Sequence, residues 1–361
     1  MLAIAARAGL SEAVLVEAPD LPPPKEGEAL CRTLQVGVCG TDREIVASGQ
    51  PLAPPGSEHL ILGHECLARI EEVGPGVEML RPGDLVVPLV RRPLRSGARR
   101  ADLLPFGEFT ERGIVHEHGF ARPVFLDRAE YLLPVELEVA PVAVFAEPLS
   151  VAEKAVNEAI TLQRARLGDD AWTDPPPRVL VTGLGPIAFA AVLACHCRNW
   201  PVAVYGRDEA TTSRGQLAQA FGARYLSAHD FSFELADVER DGFDLILECT
   251  GSDDVMIRAA SALASCGAMV WLGSERTPRP KLHNVALLMR HAVLRNHLHL
   301  GAVNSALRDF ADALRHLAQL RQTHPRLLEA LFTDFVSPAD ALWHYTNRKP
   351  QGIKTVVVYG E

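Results

Sequence analysis

The sequence predicts an α/β protein in two parts, a β-rich front section and a doubly wound parallel sheet behind it. Three observations carry this. Up to about residue 90 the chain is cut into short alternating apolar runs by Pro/Gly turns, the texture of a partly closed barrel. From Arg178 onward, short, mainly apolar runs alternate with helical segments, as buried parallel strands and their crossover helices do. The first of those runs, Val179–Thr182, leads through Gly183-Leu184-Gly185-Pro186-Ile187-Ala188 into an apolar helix. A strand, a glycine-rich turn and a helix in that order are the context a dinucleotide site requires.

A length of 361 residues suits two domains of about 150 residues each. The net charge of −9 argues against nucleic acid or an anionic membrane as partner. Arg91, Arg92, Arg95, Arg99 and Arg100 form a basic cluster with no aromatic residues interleaved to stack bases, so the cluster reads as a solvated loop. The seven cysteines (31, 39, 66, 195, 197, 249 and 266) are odd in number and show no disulfide spacing, which favours a reducing cytoplasm. The apolar opening residues lack a signal peptide's long apolar stretch and cleavage site, and no apolar stretch approaches the ~18 residues of a membrane span.

In order, the opening residues read as a β-hairpin and Ala29–Gly37 as a strand after the turn-rich Pro22–Glu28. Pro51–Ser57 is a loop, His64–Gly74 a strand closed by Pro75-Gly76, and Leu85–Pro88 a further strand. Residues 91–113 are basic and Gly/Pro-punctuated, and are expected to form a long irregular loop. After a strand near Tyr131–Pro134, helical periodicity runs from about Val144 to Leu162, and Gly168–Pro177 links to the second part. There the expected strands are Val179–Thr182, Pro201–Tyr205, Asp244–Cys249, Ala268–Leu272 and His297–Val303, with helices such as Ile187–Cys197 and Thr211–Phe221 between them. A long helix at about Ser305–Arg321 and a last strand, Ile353–Tyr359, end the chain. The domains expected are 1–150, completed by 305–361, and 151–304.

The chemistry concentrates in residues 37–65. Cys39, His64 and Glu65 offer a thiolate, an imidazole and a carboxylate, a mixture that suits zinc better than magnesium or calcium. The plain alternative is a small buried cysteine and a turn histidine. In the second part, Gly183 permits the tight turn and Gly185 lets backbone N–H groups approach a pyrophosphate at the helix N-terminus. The next strand ends in Tyr205-Gly206-Arg207-Asp208, with Arg214 a little further on. Arg207 favours a ribose 2′-phosphate and Asp208 opposes it, so NADP is preferred with NAD tolerated.

A zinc-ligand cluster in front of a dinucleotide fold resembles the zinc-type medium-chain dehydrogenase/reductase superfamily. Cys39-Gly-Thr-Asp-Arg-Glu-Ile45, Leu62-Gly-His-Glu65, Val90-Arg-Arg-Pro93, Thr110-Glu-Arg-Gly-Ile114, Ala146-Glu-Pro-Leu-Ser150, Gly301-Ala-Val-Asn304 and Ile353-Lys354 further resemble its microbial glucose (aldose) 1-dehydrogenase branch. The resemblance implies a GroES-like catalytic domain and a Rossmann domain. It implies zinc near Cys39, His64, Glu65 and Glu147, not all four bound at once, with Cys39, His64 and Thr41 catalytic and Thr41 relaying the hydroxyl proton. It implies that Thr41, Glu111, Glu147 and Asn304 face a sugar. Gly183, Gly185, Pro186, Ile187, Gly206, Arg207, Leu272, Gly273, Ser274, Ala302, Val303, Asn304 and Lys354 would contact the cofactor. Taken without it, Glu111 reads as a rim carboxylate paired with Arg112, and Lys354 as an exposed strand end.

Residues 88–125 hold no cysteine, so the four-cysteine structural zinc of many relatives is not expected, leaving one catalytic zinc. Val90 and Val151 stand where some sugar-binding relatives carry Asn and Asp. The activity implied is oxidation of an aldose, D-glucose first, at C1 to the lactone with NADP or NAD. The alternatives are a zinc alcohol or polyol dehydrogenase and a non-catalytic dinucleotide-binding sensor. A homodimer or homotetramer pairing through the strand at His297–Gly301 is also implied.

Overall fold

The computed structural model describes residues 2–95, 97–98, 100–233, 242–274 and 281–360; Arg99 of the basic cluster lies outside them. The chain divides into two compact units, Met1–Glu147 with Asn304–Glu361, and Pro148–Val303.

In the first unit β1 (Leu2–Arg7) and β2 (Val14–Glu17) form the opening hairpin, with Ala3 opposite Val16, and β4 (His59–Ile61) pairs with the other edge of β1. The main sheet has seven strands. Its axis is β3 (Glu28–Val38), an eleven-residue strand on which Ala29, Cys31 and Thr33 alternate inward. β5 (Glu65–Val73) and β19 (Lys354–Val358) flank β3 antiparallel, and β10 (Val124–Arg128) also pairs with it. β6 (Leu85–Pro88) and β11 (Leu132–Pro134) extend the sheet on one side, and β18 (Phe332–Val336) on the other.

The register decides where the chemistry sits. Gly37 is opposite both Glu65 and Val356, and Val38 is opposite Thr355. The end of β3 and the starts of β5 and β19 therefore meet at one rim, and bring Cys39, Glu65 and Lys354 together from distant parts of the chain.

Three stretches differ from the sequence expectation. Residues 40–48, given no element above, form helix α1 (Gly40–Ser48), on which Asp42 reaches back to accept the Cys39 backbone N–H at 2.8 Å. β18 had no anticipated counterpart; it is partly exposed and its apolar residues are interrupted by Thr333 and Asp334. Residues 91–113 are not one solvated loop. They contain β7 (Arg91–Pro93), a 3-10 turn at Ala101–Leu103 and β8 (Phe109–Arg112), which pairs with β7 and with β9 (His116–Glu117). Arg91 and Arg92 are buried, paired with Glu111 at 2.9 Å and Asp127 at 2.7 Å. Carboxylates 20 and 35 residues away neutralise them, which a local reading of charge does not reveal. The unit is completed by α7 (Leu307–Thr323) and α8 (Pro325–Glu329).

Helix α2 (Ala146–Leu167) begins in the first unit and continues into the second. The second unit is a six-stranded parallel sheet. Its strands are β12 (Val179–Thr182), β13 (Val202–Gly206), β14 (Arg224–Ser227), β15 (Phe243–Glu248), β16 (Leu263–Trp271) and β17 (Leu298–Gly301). The order β14-β13-β12-β15-β16-β17 reverses between β12 and β15, the switch point of a doubly wound sheet. α3 (Pro186–His196) packs on β12, β13 and β15 with Ala188 through Cys195 buried, consistent with its unbroken apolar sequence. α4 (Ser213–Ala220), α5 (Asp253–Ser261) and α6 (Val285–Leu294) complete the described helices. All seven cysteines are free thiols, and no described helix is long and apolar enough to cross a membrane.

Candidate active site

At the rim of the first unit, the candidate ligand atoms of Cys39, His64 and Glu65 lie within 4.8 Å of one another. Two glycines make the room. A Cβ on Gly37 would fall 1.9 Å from Glu65 Oε2. Gly63, at φ +87°, would place one 2.8 Å from Val36 and 3.0 Å from the Ala121 nitrogen, so only glycine delivers the chain into His64.

Asp42 ties two of the three together. Its carboxylate accepts the N–H groups of Cys39 at 2.8 Å and Gly63 at 3.3 Å, and its Oδ1 lies 3.5 Å from His64 Nδ1. Burial alone would raise the Asp42 carboxyl, but His64 and those N–H groups outweigh it and hold it below the usual range. His64 is buried, which disfavours its charged form, yet Asp42 and Cys39 push it well above the ordinary histidine value. Its Nδ1 has no hydrogen bond of good geometry and faces Asp42. That leaves Nε2 as the coordinating nitrogen, oriented by a carboxylate behind the ring as metal-binding imidazoles are.

Glu65 and Lys354, each 1% exposed, form an ion pair in which Nζ donates to both carboxylate oxygens at 2.7 and 2.6 Å. Lys354, assigned above to the cofactor or to an exposed strand end, is thus buried against the candidate metal site. Glu147, near the start of α2, is pushed up to about 7 by desolvation first; Glu65 and Glu111 add to this, and His64 and Lys354 oppose it. It stands within electrostatic reach of the cluster without joining its tight set. Thr41 Oγ1 is 3.8 Å from Cys39 Sγ. A partly exposed thiol with a buried imidazole and a buried carboxylate, already close together, fit a zinc ion.

Beside this, Glu111 on β8 faces Arg91 directly across on β7. Arg91 Nε donates to Glu111 Oε1 at 2.9 Å, and Asn304 Nδ2 donates to the same oxygen at 2.8 Å. Asn304 adopts φ +60°, and its Oδ1 accepts the Ser305 N–H at 2.8 Å. The alternative pairing of Glu111 with Arg112 does not occur: Arg112 turns to Glu117 at 3.1 Å and Asp127 at 3.3 Å. His118, whose Nδ1 accepts the Ile61 N–H, and the neighbouring His59 lie outside the ligand set.

In the second unit the candidate nucleotide residues collect at the C-terminal ends of parallel strands. Gly183 follows β12 at φ +102°, and Gly185 caps α3 with Pro186 and Ile187 in its first turn. A Cβ on Gly206, at the end of β13, would strike the Tyr225 hydroxyl at 2.6 Å, and one on Gly273 the Gly251 nitrogen at 2.2 Å. Leu272, Gly273 and Ser274 follow β16; Ala302 and Val303 follow β17, where Lys154 Nζ donates to the Val303 carbonyl at 2.8 Å. Arg207 is exposed, whereas Asp208 is gripped by Arg214 through contacts of 2.7–2.9 Å. The acidic residue that would repel a 2′-phosphate is therefore already paired with a guanidinium.

Sequence reasoning missed Glu248. It is fully buried at the end of β15 and accepts from the Thr182 hydroxyl, the Thr250 hydroxyl and the N–H groups of Thr250 and Gly251. It shapes the turn against Gly183, and a lone glutamate ending an apolar run is its only sequence signal.

Residues 25–135 match the family described as Alcohol dehydrogenase GroES-like domain, and residues 140–359 match Glucose dehydrogenase C-terminus. Glucose 1-dehydrogenase of Thermoproteus tenax is 35% identical over 336 residues, covering 93% of each chain. The chain belongs to the glucose 1-dehydrogenase family. Another member, glucose 1-dehydrogenase 1 of Caldivirga maquilingensis, is 34% identical over 92% of each chain. The solved Haloferax mediterranei glucose dehydrogenase in complex with NADP, Zn and gluconolactone superposes over the whole of both chains at a TM-score of 0.86 and 30% identity. Galactitol-1-phosphate dehydrogenase of Escherichia coli, at TM-score 0.80 but 16% identity, shares the fold alone.

Proposed function

We propose that this member of the glucose 1-dehydrogenase family oxidises an aldose, D-glucose first, at C1 to the lactone with NADP as electron acceptor. The observation that carries the reading is the Cys39/His64/Glu65 set, with His64 and Glu65 buried and Cys39 partly exposed, in a chain whose other unit bears the Gly183–Ala188 turn at a switch point. Cys39 and His64, with Glu65 or Glu147 joining them, would hold one zinc, which supplies a Lewis acid that lowers the pKa of the substrate hydroxyl. Thr41 takes the hydroxyl proton and passes it toward solvent, and Asp42 holds Cys39 and His64 in place. Glu111, Glu147 and Asn304 orient the sugar. The C1 hydride and its electron pair go to the nicotinamide, so the products are lactone, NADPH and a proton.

The glycine turn and the N-terminus of α3 would receive the pyrophosphate. Arg207 would contact the 2′-phosphate, while Arg214 keeps Asp208 from repelling it. The neighbouring loops 272–274 and 302–304 would line the nicotinamide. A second reading, a zinc alcohol or polyol dehydrogenase, draws support from Val90 and Val151, which offer no hydroxyl contact. For assembly we favour a homodimer or homotetramer pairing through the edge strand β17. The apolar face of α6 beside it supports this, with Met289, Val293 and Leu294 all more than half exposed.

The test is an activity matrix of NADP and NAD against aldoses, polyols and primary alcohols, with and without zinc. Glucose with NADP and zinc should give the highest kcat/KM, and a chelator should abolish turnover. Preference for a polyol would install the second reading. Full activity after complete metal removal would overturn the zinc role, and NADP binding with no turnover on any substrate would point to a sensor.

A further inference from the structure

We propose that Arg91 is a positioning residue that sets which sugar hydroxyl the site demands, by saturating one oxygen of Glu111 and leaving the other for substrate. This rests on the aldose reading above and names how part of that site selects. In the common guanidinium–carboxylate fork, two N–H groups meet two oxygens. Here Arg91 Nε donates to Glu111 Oε1 at 2.9 Å and Nη2 lies 2.9 Å from the same atom. Asn304 Nδ2 adds a third contact to Oε1 at 2.8 Å. Oε1 has no room for another donor. Oε2 accepts no hydrogen bond among the described residues and is not sealed from solvent.

The clamp is itself fixed. Arg91 Nη1 donates to the Asp102 carbonyl at 2.9 Å, and the guanidinium lies 3.8 Å above the centre of the Phe109 ring. Arg91 and Glu111 face each other across β7 and β8, with side chains only 7% and 9% exposed. A charged carboxylate that offers a single open oxygen in a half-dry site is an acceptor for one hydroxyl. A substrate lacking that hydroxyl leaves it unsatisfied, and discrimination of this kind is steep. Lysine keeps the charge but loses the planar set of donors, so it is not an equivalent replacement.

The test compares wild type, Arg91→Lys, Arg91→Gln, Glu111→Gln and the Arg91→Gln/Glu111→Gln pair on glucose and its monodeoxy analogues, at saturating NADP and zinc. In Arg91→Gln, KM for glucose should rise about tenfold, with kcat changed less than about threefold and KM for NADP unchanged. Arg91→Lys should fall between it and wild type. Against wild type, the analogues should divide, one deoxy position costing tenfold or more beyond the rest; in Arg91→Gln and Glu111→Gln that selective penalty should vanish. The double variant should be no worse than Glu111→Gln alone. Should Arg91→Gln not fold, Arg91→Lys and Glu111→Gln carry the same comparison. The inference is overturned if KM stays within about twofold, if all analogues lose affinity equally, or if the double variant is additive. If the wild type prefers a polyol, the aldose reading falls, and the same KM-only pattern is then required on that polyol.

Discussion

Replacing Lys354 by methionine removes the cation from a pair whose two side chains are each 1% exposed. Methionine preserves most of the volume, so the loss is electrostatic. Breaking one partner of a buried pair costs about 3–5 kcal/mol, because the remaining charge has neither water nor a counter-ion. At about 2–4 °C per kcal/mol for a unit of this size, the metal-free protein should melt roughly 6–20 °C lower. Two controls separate charge from packing. Adding zinc to Lys354→Met should recover more stability than adding it to wild type, because a dication beside Cys39 and His64 restores a positive neighbour to Glu65. Glu65→Gln/Lys354→Met should melt above Lys354→Met, since the orphaned charge is gone. The assay is a thermal melt followed by circular dichroism with chelator and with saturating zinc. Equal melting of the single and double variants, or equal zinc responses in wild type and Lys354→Met, would show that the Glu65 charge does not set the loss.

Three further outcomes follow from the same geometry. Arg207→Ala should raise KM for NADP tenfold or more while leaving KM for NAD within about twofold, read from initial rates with each cofactor. Cys39→Ser should abolish turnover and the rise in melting temperature that zinc produces, while the metal-free melt stays within a few degrees of wild type. Burial first, with Arg122 adding to it, holds His118 neutral down to about 4. The unfolded chain takes up that proton below about 6.5, so stability should fall as pH drops from about 6.5 to 4. With the ring partly exposed, screening leaves an effect on the order of 1 kcal/mol. His118→Asn should flatten that slope in urea titrations, and an unchanged slope would reject the assignment.

What the sequence displays and what it conceals divide along the reach of each interaction. Val179–Thr182 and the glycine turn after it are legible because their signals are local: a buried Val-Leu-Val-Thr run, then Gly183 at φ +102°, where a side chain would be strained. Cys39, His64 and Glu65 are legible because their chemistry is unusual in so short a span. Arg91 is not, since a buried arginine and a solvated one look alike until the opposing strand places Glu111 against it. Lys354 is concealed in the same way, its partner standing 289 residues away. Helix α1 is hidden for a different reason. Its capping residue is a cysteine, which is a poor N-cap, and its start is secured by Asp42 reaching back.

These concealed pairs also decide what the site is able to recognise. Three acidic residues around Cys39 and His64 each meet a specific positive or polar partner: Asp42 has His64, Glu65 has Lys354, and Glu111 has Arg91 and Asn304. Lys354 and Arg91 are each occupied by a carboxylate, so neither presents a bare cation to a phosphorylated or carboxylated sugar. What remains on offer is carboxylate oxygen and amide, groups that accept from and donate to hydroxyls. Glu147 fits the same logic. Burial and acidic neighbours press it toward its neutral form, and a cation seated among Cys39, His64 and Glu65 would draw it back toward the charged one. A neutral polyhydroxy substrate then follows from the pairing of charges as well as from family membership, and it is the pairing that single substitutions at Arg91 and Lys354 can take apart.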